Sequence, residues 1–161
     1  MLNTMVHKRN FEDYFENLVQ EWNDAHISKD TNVFSALFNY TVLYYGNQLE
    51  KKSCIENKLS FFTRNPDYHQ QIQGKIQVEK ISDFKVKCSF VKRVNIKQVA
   101  TDYPSYLLFK KIEDQWKIIT EGDLVTDKNI AKVARLSDVE ADFIINYDIK
   151  YRMGADEDDA E

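Results

Sequence analysis

Two histidines and an aspartate are the residues of this chain that could perform acid–base chemistry together. His26 or His69 could serve as the general base, and Asp123 could orient its imidazole ring. Tyr44 or Tyr106 could then donate a hydrogen bond to the substrate. Proton transfer needs a titratable group held near the substrate, and burial often tunes the pKa of that group. Nothing in the spacing requires these residues to meet, and His69, which follows a turn that contains proline, also fits a surface position.

Two acids, Glu121 and Asp123, flank a glycine at the end of the last predicted strand. Such a pair could face the mouth of a pocket. Asp123 could instead end the strand and cap the next helix, because a carboxylate accepts hydrogen bonds from the free backbone amides at a helix start. We expect the capping role.

Aromatic residues are the other candidates for a site, since they make up 13% of the chain. Rings of this kind often line a cavity for a flat ligand, although tyrosines also suit half-buried sheet and dimer surfaces. The candidate ligand-binding residues are Tyr44, Tyr106 and Trp22.

The chain lacks the sequence motifs of the common metal and cofactor sites. Its 4 glycines are scattered, which argues against a phosphate-binding loop, and no nucleophile elbow, zinc-protease motif or dinucleotide fingerprint is present. Cys54 and Cys88 lie in apolar patterns, so we expect buried free thiols. Too few ligands stand at suitable spacing for zinc. The sequence therefore predicts neither a metal nor a cofactor.

Charge and hydropathy limit the classes of partner. The net charge is −4 and the basic residues are spread along the chain, whereas a nucleic-acid-binding protein normally presents a dense basic face. No run approaches the roughly 20 apolar residues of a membrane helix. Residues 1–10 are polar and lack the apolar core of a signal peptide. We expect a cytoplasmic protein without a nucleic-acid or membrane partner.

Three amphipathic segments near the start of the chain predict helices. Apolar residues recur every three or four positions from about residue 8 to 27, which gives this segment one apolar face. Asp30 or Thr31 can cap a second, short helix. A third helix is predicted over about 51–64. The face of that helix expected to be buried comprises Cys54, Ile55, Leu59 and Phe62.

A sheet is predicted from the remaining pattern. One strand spans 40–45, and four more lie between about 72 and 123. The stretch 103–123 fits two strands joined by a tight turn, and neither face of its segment 106–109 is polar. An apolar run of this kind is typical of a strand in the middle of a sheet.

The C-terminal part of the chain has a helical pattern and then an acidic end. Thr126 or Asp127 can cap a helix after the last strand, and the segment 138–151 fits either a helix or a strand. Five acids fall within residues 154–161, which carry no large apolar side chain, so this end is predicted to be disordered. The predicted organisation is one domain over 1–152, with a core of about 8–132, a helical extension over 133–152 and a disordered acidic tail over 153–161.

Helices at the front and an antiparallel sheet behind them indicate an α+β fold. The helices can cover only one face of the sheet. The other face, around Tyr106, Leu108 and Ile112 or their alternates, needs a second cover. A homodimer that packs sheet against sheet would supply it, and so would the C-terminal helical segment.

Three stretches resemble the NTF2-like superfamily, which includes SnoaL-like and cystatin-like folds. They are LFNYTVLYYGNQL at 37–49, FFTRNPDY at 61–68 and YPSYLLFKKIEDQWKIITEGD at 103–123, and the resemblance extends over about 8–132. It implies a cone in which a curved, mainly antiparallel sheet wraps around the N-terminal helices and encloses a pocket. Members are often dimers.

The resemblance leaves the function open, because the superfamily includes enzymes as well as transport, assembly and immunity proteins. Members resembling steroid isomerase have a tyrosine on the first helix, for which Tyr14 would stand, and an aspartate on the first strand. Strand 40–45 has no Asp, Glu or His. Dehydratase-like members use a His–Asp pair, for which His26 or His69 with Asp123 would serve.

These considerations lead to two hypotheses of different classes. The first is a non-catalytic binding module that takes a small apolar ligand in the cone or a protein partner on the sheet face, and it is the one we expect. The alternative is a cofactor-free acid–base enzyme of the isomerase, dehydratase or cyclase type. The enzyme requires a titratable residue inside the cone, within hydrogen-bond reach of a tyrosine and of an empty cavity.

Overall fold

Helices in the first half of the chain pack on a sheet formed mostly by the second half. The computed structural model describes residues 2–133, and their side chains from Lys8 onward. The helices are α1 (Leu2–Ser28), α2 (Thr31–Leu37), α3 (Lys51–Arg64) and α4 (Leu124–Val133). The strands are β1 (Phe38–Tyr44), β2 (Asn47–Glu50), β3 (His69–Ser82), β4 (Lys85–Ile96), β5 (Val99–Ile112) and β6 (Gln115–Asp123).

The first two helices form where the sequence predicts them. α1 buries Phe15, Val19 and Trp22 on one face, as its apolar periodicity requires. Asp30 caps α2, because its Oδ1 accepts from the backbone amides of Asn32 at 3.0 Å and Val33 at 3.4 Å. The capping prediction is therefore confirmed for Asp30.

The third helix has the predicted bounds but not the predicted buried face. Its buried residues are Cys54, Lys58, Phe61 and Phe62, whereas Leu59 is 43% exposed. Lys58 lies four positions after Cys54 and four before Phe62, so a lysine stands in the middle of the apolar stripe. Apolar periodicity alone assigns that place to a hydrophobic residue, and the prediction for Leu59 was wrong for this reason.

The six strands form one sheet in the order β2-β1-β6-β5-β4-β3. All neighbouring strands are antiparallel except β1 and β6, which are parallel. β5 lies between β6 and β4, which confirms that the strand with two apolar faces is central. The fold is α+β, with a mixed but mainly antiparallel sheet.

Two-residue turns with positive φ join several pairs of strands. One of these turns leads into β2, a strand that the sequence did not predict. Tyr45 and Gly46 connect β1 to β2, with φ of 47° and 85°. The turns Lys97–Gln98 and Glu113–Asp114 have the same character. Such turns match the right-handed twist of a hairpin. The predicted strand 40–45 had no partner directly after it in the sequence, whereas the chain turns back at Gly46 to form β2.

The last described helix begins at the end of β6 and lies against the outer face of the sheet. Asp123 Oδ1 accepts from the backbone amide of Thr126 at 2.9 Å, so the expected capping role of Asp123 is confirmed and the caps predicted at Thr126 or Asp127 were wrong. The Tyr106 hydroxyl donates to Asp127 Oδ2 at 2.7 Å. α4 therefore covers part of the outer face. The predictions for the extension 134–152, the segment 138–151 and the acidic tail lie outside the described residues.

The inner face of the sheet packs on α1 and contains the core. Every second residue of β4 from Val86 to Val94 is buried. Cys54 and Cys88 are buried and free, as predicted, and burial raises the pKa of each thiol to about 12. None of the helices in the described part of the chain combines the length and apolar character needed to span a bilayer.

Candidate functional site

Strand register divides the inner face into an apolar end and a polar end. We define the apolar end by Phe15, Val19, Val86, Phe109 and Ile118, all of which are buried. We define the polar end by the buried residues His26, Lys58, Gln70, Lys92, Glu121 and Asp123. The two ends belong to the same strands, because Ile118 and Glu121 both lie on β6 and Val86 and Lys92 both lie on β4.

An ion pair lies at the centre of the polar end. Lys58 Nζ of α3 is 2.8 Å from Glu121 Oε2 of β6, and the two side chains are 4% and 1% exposed. The indole Nε1 of Trp22 donates to the other carboxylate oxygen of Glu121 at 2.9 Å. Both carboxylate oxygens therefore have donors, which a buried charge requires.

His26 completes this group. Its Nδ1 lies 2.7 Å from the backbone carbonyl of Trp22, which can only accept, so the proton is assigned to Nδ1. Nε2 is then the acceptor for Lys58 Nζ at 2.7 Å. We call Trp22, His26, Lys58 and Glu121 the ion-pair network.

The protonation states in the network follow from burial and charge. Burial lowers the pKa of His26 well below its ordinary value, and the positive charges of Lys58 and Lys92 lower it further. Burial also lowers the pKa of Lys58, while Glu121 opposes this shift. A neutral imidazole beside a lysine ammonium satisfies every contact described above.

A second buried lysine lies on the neighbouring part of β4. Lys92 is 5% exposed, and its Nζ donates to the Tyr45 hydroxyl at 3.1 Å. The ammonium is 5.5 Å from the centroid of the Tyr45 ring and 5.9 Å from those of Trp22 and Tyr103. We call Lys92, Tyr45, Tyr103 and Trp22 the Lys92 cluster. Trp22 belongs to both groups, so the two are in contact.

A neutral hydrogen-bond chain lies beside these charged groups. Gln70 Nε2 donates to Asn23 Oδ1 at 2.9 Å, and the Tyr68 hydroxyl donates to Gln70 Oε1. The chain joins α1 to the start of β3. It fixes the helix on the sheet at the polar end.

The candidate ligand-binding residues lie in different places. Trp22 belongs to the ion-pair network, and the Tyr44 ring lies 5.2 Å from Lys58 Nζ. Tyr106 faces outward instead, because Leu107 beside it is fully buried on the inner face. Burial and the bond to Asp127 raise its pKa. Trp22 and Tyr44 are thus brought together in the interior, and Tyr106 is not.

The candidate catalytic residues Tyr14, His69 and Asp123 do not come together. Tyr14 is 48% exposed on α1. His69 is exposed and faces outward, since the adjacent Gln70 is buried on the inner face, whereas Asp123 is buried. His69 and Asp123 therefore lie on opposite faces of the sheet, and the surface position that the sequence also allowed for His69 is the observed one. Of the two histidines whose side chains the structure describes, His26 is the one inside the cone.

Lys58 and Lys92 were not predicted to belong to a site. Lysines on amphipathic elements usually face solvent, so neither was chosen as a candidate site residue. A positional signal was nevertheless present, because Lys92 alternates with Val86, Cys88, Phe90 and Val94 on one strand face. Glu121 was considered as one of two strand-end acids that could face the mouth of a pocket, and not as the partner of a lysine. Within residues 2–133, no group of three or more His, Cys, Asp or Glu side chains is arranged to hold a metal ion.

The sequence matches no protein-family model and no curated protein. Solved structures do match. One is a domain of unknown function with a cystatin-like fold from Nostoc punctiforme, 15% identical, with a TM-score of 0.60 over 88% of this chain and 96% of that one. Another is an NTF2-like protein of unknown function from Pseudomonas putida, 11% identical, with a TM-score of 0.60 over 71% and 86%. The chain has the NTF2-like fold.

A third structure with the same arrangement is Bd1075 from Bdellovibrio bacteriovorus, 14% identical with a TM-score of 0.60. The alignment includes 69% of this chain but only 40% of that protein, which is the longer of the two. At these identities the likeness establishes the NTF2-like fold alone, as the sequence resemblance predicted. The function must be argued from the polar end.

Proposed function

We propose that the protein is a non-catalytic NTF2-like binding module that takes a small ligand at the polar end of its interior. The observation that carries the proposal is the closed bonding of the ion-pair network, in which both ring nitrogens of His26 contact protein atoms. A general base needs a lone pair directed at the substrate. The lone pair of His26 is directed at Lys58.

The other titratable groups of the interior are engaged in the same way. Glu121 accepts from Trp22 through one oxygen and from Lys58 through the other. Asp123 accepts from the start of α4. These carboxylates hold elements of the fold together, which favours a binding module over an acid–base enzyme.

The side chains of the apolar end are fully buried, whereas some rings at the polar end reach the surface. This difference supports a ligand position at the polar end. Phe15, Phe109 and Ile118 at the apolar end are at most 1% exposed. Tyr45 and Tyr103 at the polar end are only half-buried, although they surround a buried lysine. Aromatic rings that reach from the interior to the surface are suited to contact a flat molecule.

Native mass spectrometry of protein purified from its own host tests the proposal. We expect a retained small molecule that is recovered chemically unchanged after prolonged incubation with excess protein. The variants His26→Gln and His69→Gln provide matched controls, since one changes an interior histidine and the other an exposed one. Conversion of the molecule by the wild type that is lost only in H26Q would establish the enzyme and overturn the proposal.

We further propose that two copies pair through the part of the outer sheet face that α4 leaves uncovered. Val91 and Leu108 are half-buried there. Sheet-to-sheet packing is a common way to cover such a surface. Light scattering should give a dimer mass at micromolar concentration. We expect Leu108→Glu to give a monomer and Lys52→Glu, at an exposed position of α3 away from this face, to keep the dimer. A monomeric wild type would contradict the pairing.

A further inference from the structure

We propose that the contact between His26 and Lys58 is a pH-sensitive switch, which holds α3 against α1 at neutral pH and releases it in acid. His26 lies on α1 and Lys58 lies on α3, and both side chains are buried at the polar end. The switch goes beyond the proposed function, because it concerns a helix that covers the polar end and can be tested without a ligand.

The hydrogen bonds of His26 define the protonation state in which α3 is held. The carbonyl of Trp22, 2.7 Å from Nδ1, can only accept, so Nδ1 carries a proton. The ammonium of Lys58, 2.7 Å from Nε2, can only donate, so Nε2 carries none. The contact between the two helices therefore requires a neutral imidazole. A proton on Nε2 would bring two positively charged N–H donors face to face.

The carboxylate of the ion-pair network already has a donor on each oxygen. Glu121 accepts from Trp22 Nε1 at 2.9 Å through one oxygen and from Lys58 Nζ at 2.8 Å through the other. A protonated His26 would therefore compete with Lys58 for the same carboxylate. Such a competition separates the lysine from the histidine whichever of the two retains Glu121.

The other groups around His26 also disfavour its charged form. Lys92 of β4 is a second cation that acts on the imidazole. α2 packs the Phe34 ring 4.7 Å from the imidazole centroid and has no titratable side chain. In the part of the chain that the structure describes, the titratable or charged groups around His26 and its lysine partner are Lys58 and Cys54 of α3, Lys92 of β4, Glu121 of β6 and Tyr44 of β1.

α3 is the element expected to move when this contact is lost. Glu50, its N-cap residue, makes no side-chain capping bond, so the first amides of the helix lack that support. Lys58 ties the middle of α3 to α1 and β6, whereas the bond from Lys51 to the Ser35 carbonyl near the helix start is exposed. α1, in contrast, is fixed to the sheet by hydrogen bonds that do not involve His26.

The direction of the pH dependence follows from the two states. With α3 in place, burial lowers the pKa of His26 well below its ordinary value of 6.5, and the two lysines lower it further. With α3 released, the imidazole is hydrated and its pKa returns towards 6.5. Below pH 6.5 the open state therefore binds a proton that the closed state does not. The open population should rise by up to about tenfold for each pH unit until the pH reaches the closed-state pKa.

The 2 cysteines of the chain provide a reporter for α3 and a matched control. Both are buried and free; Cys54 lies on α3, one turn before Lys58, and Cys88 lies on β4. Cys88→Ala leaves Cys54 as the reporter, and Cys54→Ala leaves Cys88. Each thiol is labelled with 4,4′-dithiodipyridine between pH 7 and 5. The rate for glutathione at the same pH, divided by the protein rate, gives a protection factor from which thiol and reagent ionisation cancel.

We expect Cys54 to report a local opening. Its protection factor should lie below that of Cys88 throughout and should fall by up to about tenfold per pH unit below pH 6.5. Equal protection factors for the two thiols would mean that only global unfolding exposes them, which would overturn the switch. A protection factor of Cys54 that does not change between pH 7 and 5 would also overturn it.

Two histidine variants in the C88A background assign the response. His26→Gln should remove the pH dependence at Cys54, because an amide gains no proton in this range. His69→Gln, at an exposed position, should retain it. The same fall in protection in folded H26Q as in the parent would show that another group controls α3.

Nitrogen NMR of the wild-type imidazole gives a second measurement should H26Q fail to fold. At pH 7 the proton should be on Nδ1 and not on Nε2. Nε2 should gain its proton over the same pH range in which Cys54 loses protection. An Nε2 that is protonated at pH 7, or that gains its proton without any change at Cys54, would overturn the switch. A retained ligand alters neither result, so failure of the switch is distinguishable from failure of the binding module.

Discussion

The two ends of the cone interior are equally buried but are held together by different forces. At the apolar end the centroid of the Phe15 ring lies 5.6 Å from that of Phe109 and 5.0 Å from that of Trp116. At the polar end Lys58 and Glu121 are buried to a similar extent but depend on specific donors and acceptors. Apolar contacts are non-directional, so they tolerate exchange of similar side chains. A buried charge does not tolerate the loss of its partner.

This difference indicates what the polar end is for. A buried ion pair is costly to desolvate, and well-packed apolar residues of similar volume are often as stable. Stability alone therefore does not account for Lys58 and Glu121 in a core that is otherwise rich in aromatic residues. The network holds Trp22 in place, and Trp22 is one of the aromatic rings that surround Lys92. We infer that the ion pair serves to position this ring.

The largest expected effect comes from removing one partner of the ion pair. Lys58→Met keeps most of the side-chain volume but leaves the Glu121 carboxylate buried without its counter-charge. Removing one partner in this way costs about 3–5 kcal/mol of the free energy of unfolding. Chemical denaturation monitored by circular dichroism measures the loss.

A second substitution and a surface control sharpen this prediction. Lys58→Met with Glu121→Gln should recover at least half of the loss, because the neutral amide can still accept from Trp22. Lys52→Met, at an exposed position of the same helix, should change stability by less than about 0.5 kcal/mol. If K58M is as stable as the wild type, the polar end tolerates substitution as well as the apolar end does.

The same comparison explains how far the sequence predicts the fold. Apolar spacing located α1, α3 and the central strand β5, because hydrophobic periodicity is a local property of the chain. It failed where a charged residue takes an apolar position. Lys58 follows the helical spacing and Lys92 follows the strand spacing, but a lysine is ordinarily assigned to solvent.

The candidate site was less predictable than the fold, since its members meet only through tertiary structure. Trp22 and Glu121 are 99 positions apart, and Lys58 is 63 positions from Glu121. Spacing in one sequence does not report such contacts. The strand β2 was missed for a more local reason, because the turn at Tyr45 lacks the asparagine or glycine that usually marks its first position.

The next effect in size is a pH dependence confined to the polar end. The folded pKa of His26 lies below its ordinary value of 6.5, so below pH 6.5 the unfolded chain binds a proton that the folded chain does not. Stability should therefore fall as the pH falls from 6.5 towards the folded pKa, by up to about 1.4 kcal/mol per pH unit. Urea denaturation at a series of pH values measures this slope.

Two histidine variants separate the contribution of the polar end from that of other groups. Lys58 and Lys92 are the cations that disfavour a charged His26, and Glu121 faces them through its bond to Lys58. His26→Gln should remove most of the slope between pH 6.5 and 5, whereas His69→Gln should retain it. An equal slope in wild type and H26Q would show that the imidazole does not carry the effect.

The smallest effect is expected at the apolar end, where a side chain is shortened without loss of any polar partner. Ile118 is fully buried beside Phe109, and Ile118→Val removes one methylene from this contact. Such a change costs about 0.5–1.5 kcal/mol, and the cost should be the same at pH 5 and pH 7 because no titratable group is involved. Denaturation of I118V at both pH values measures it. A loss above 3 kcal/mol, or one that varies with pH, would mean that packing at the apolar end is coupled to the ion-pair network through β6, and that the two ends do not behave as separate regions.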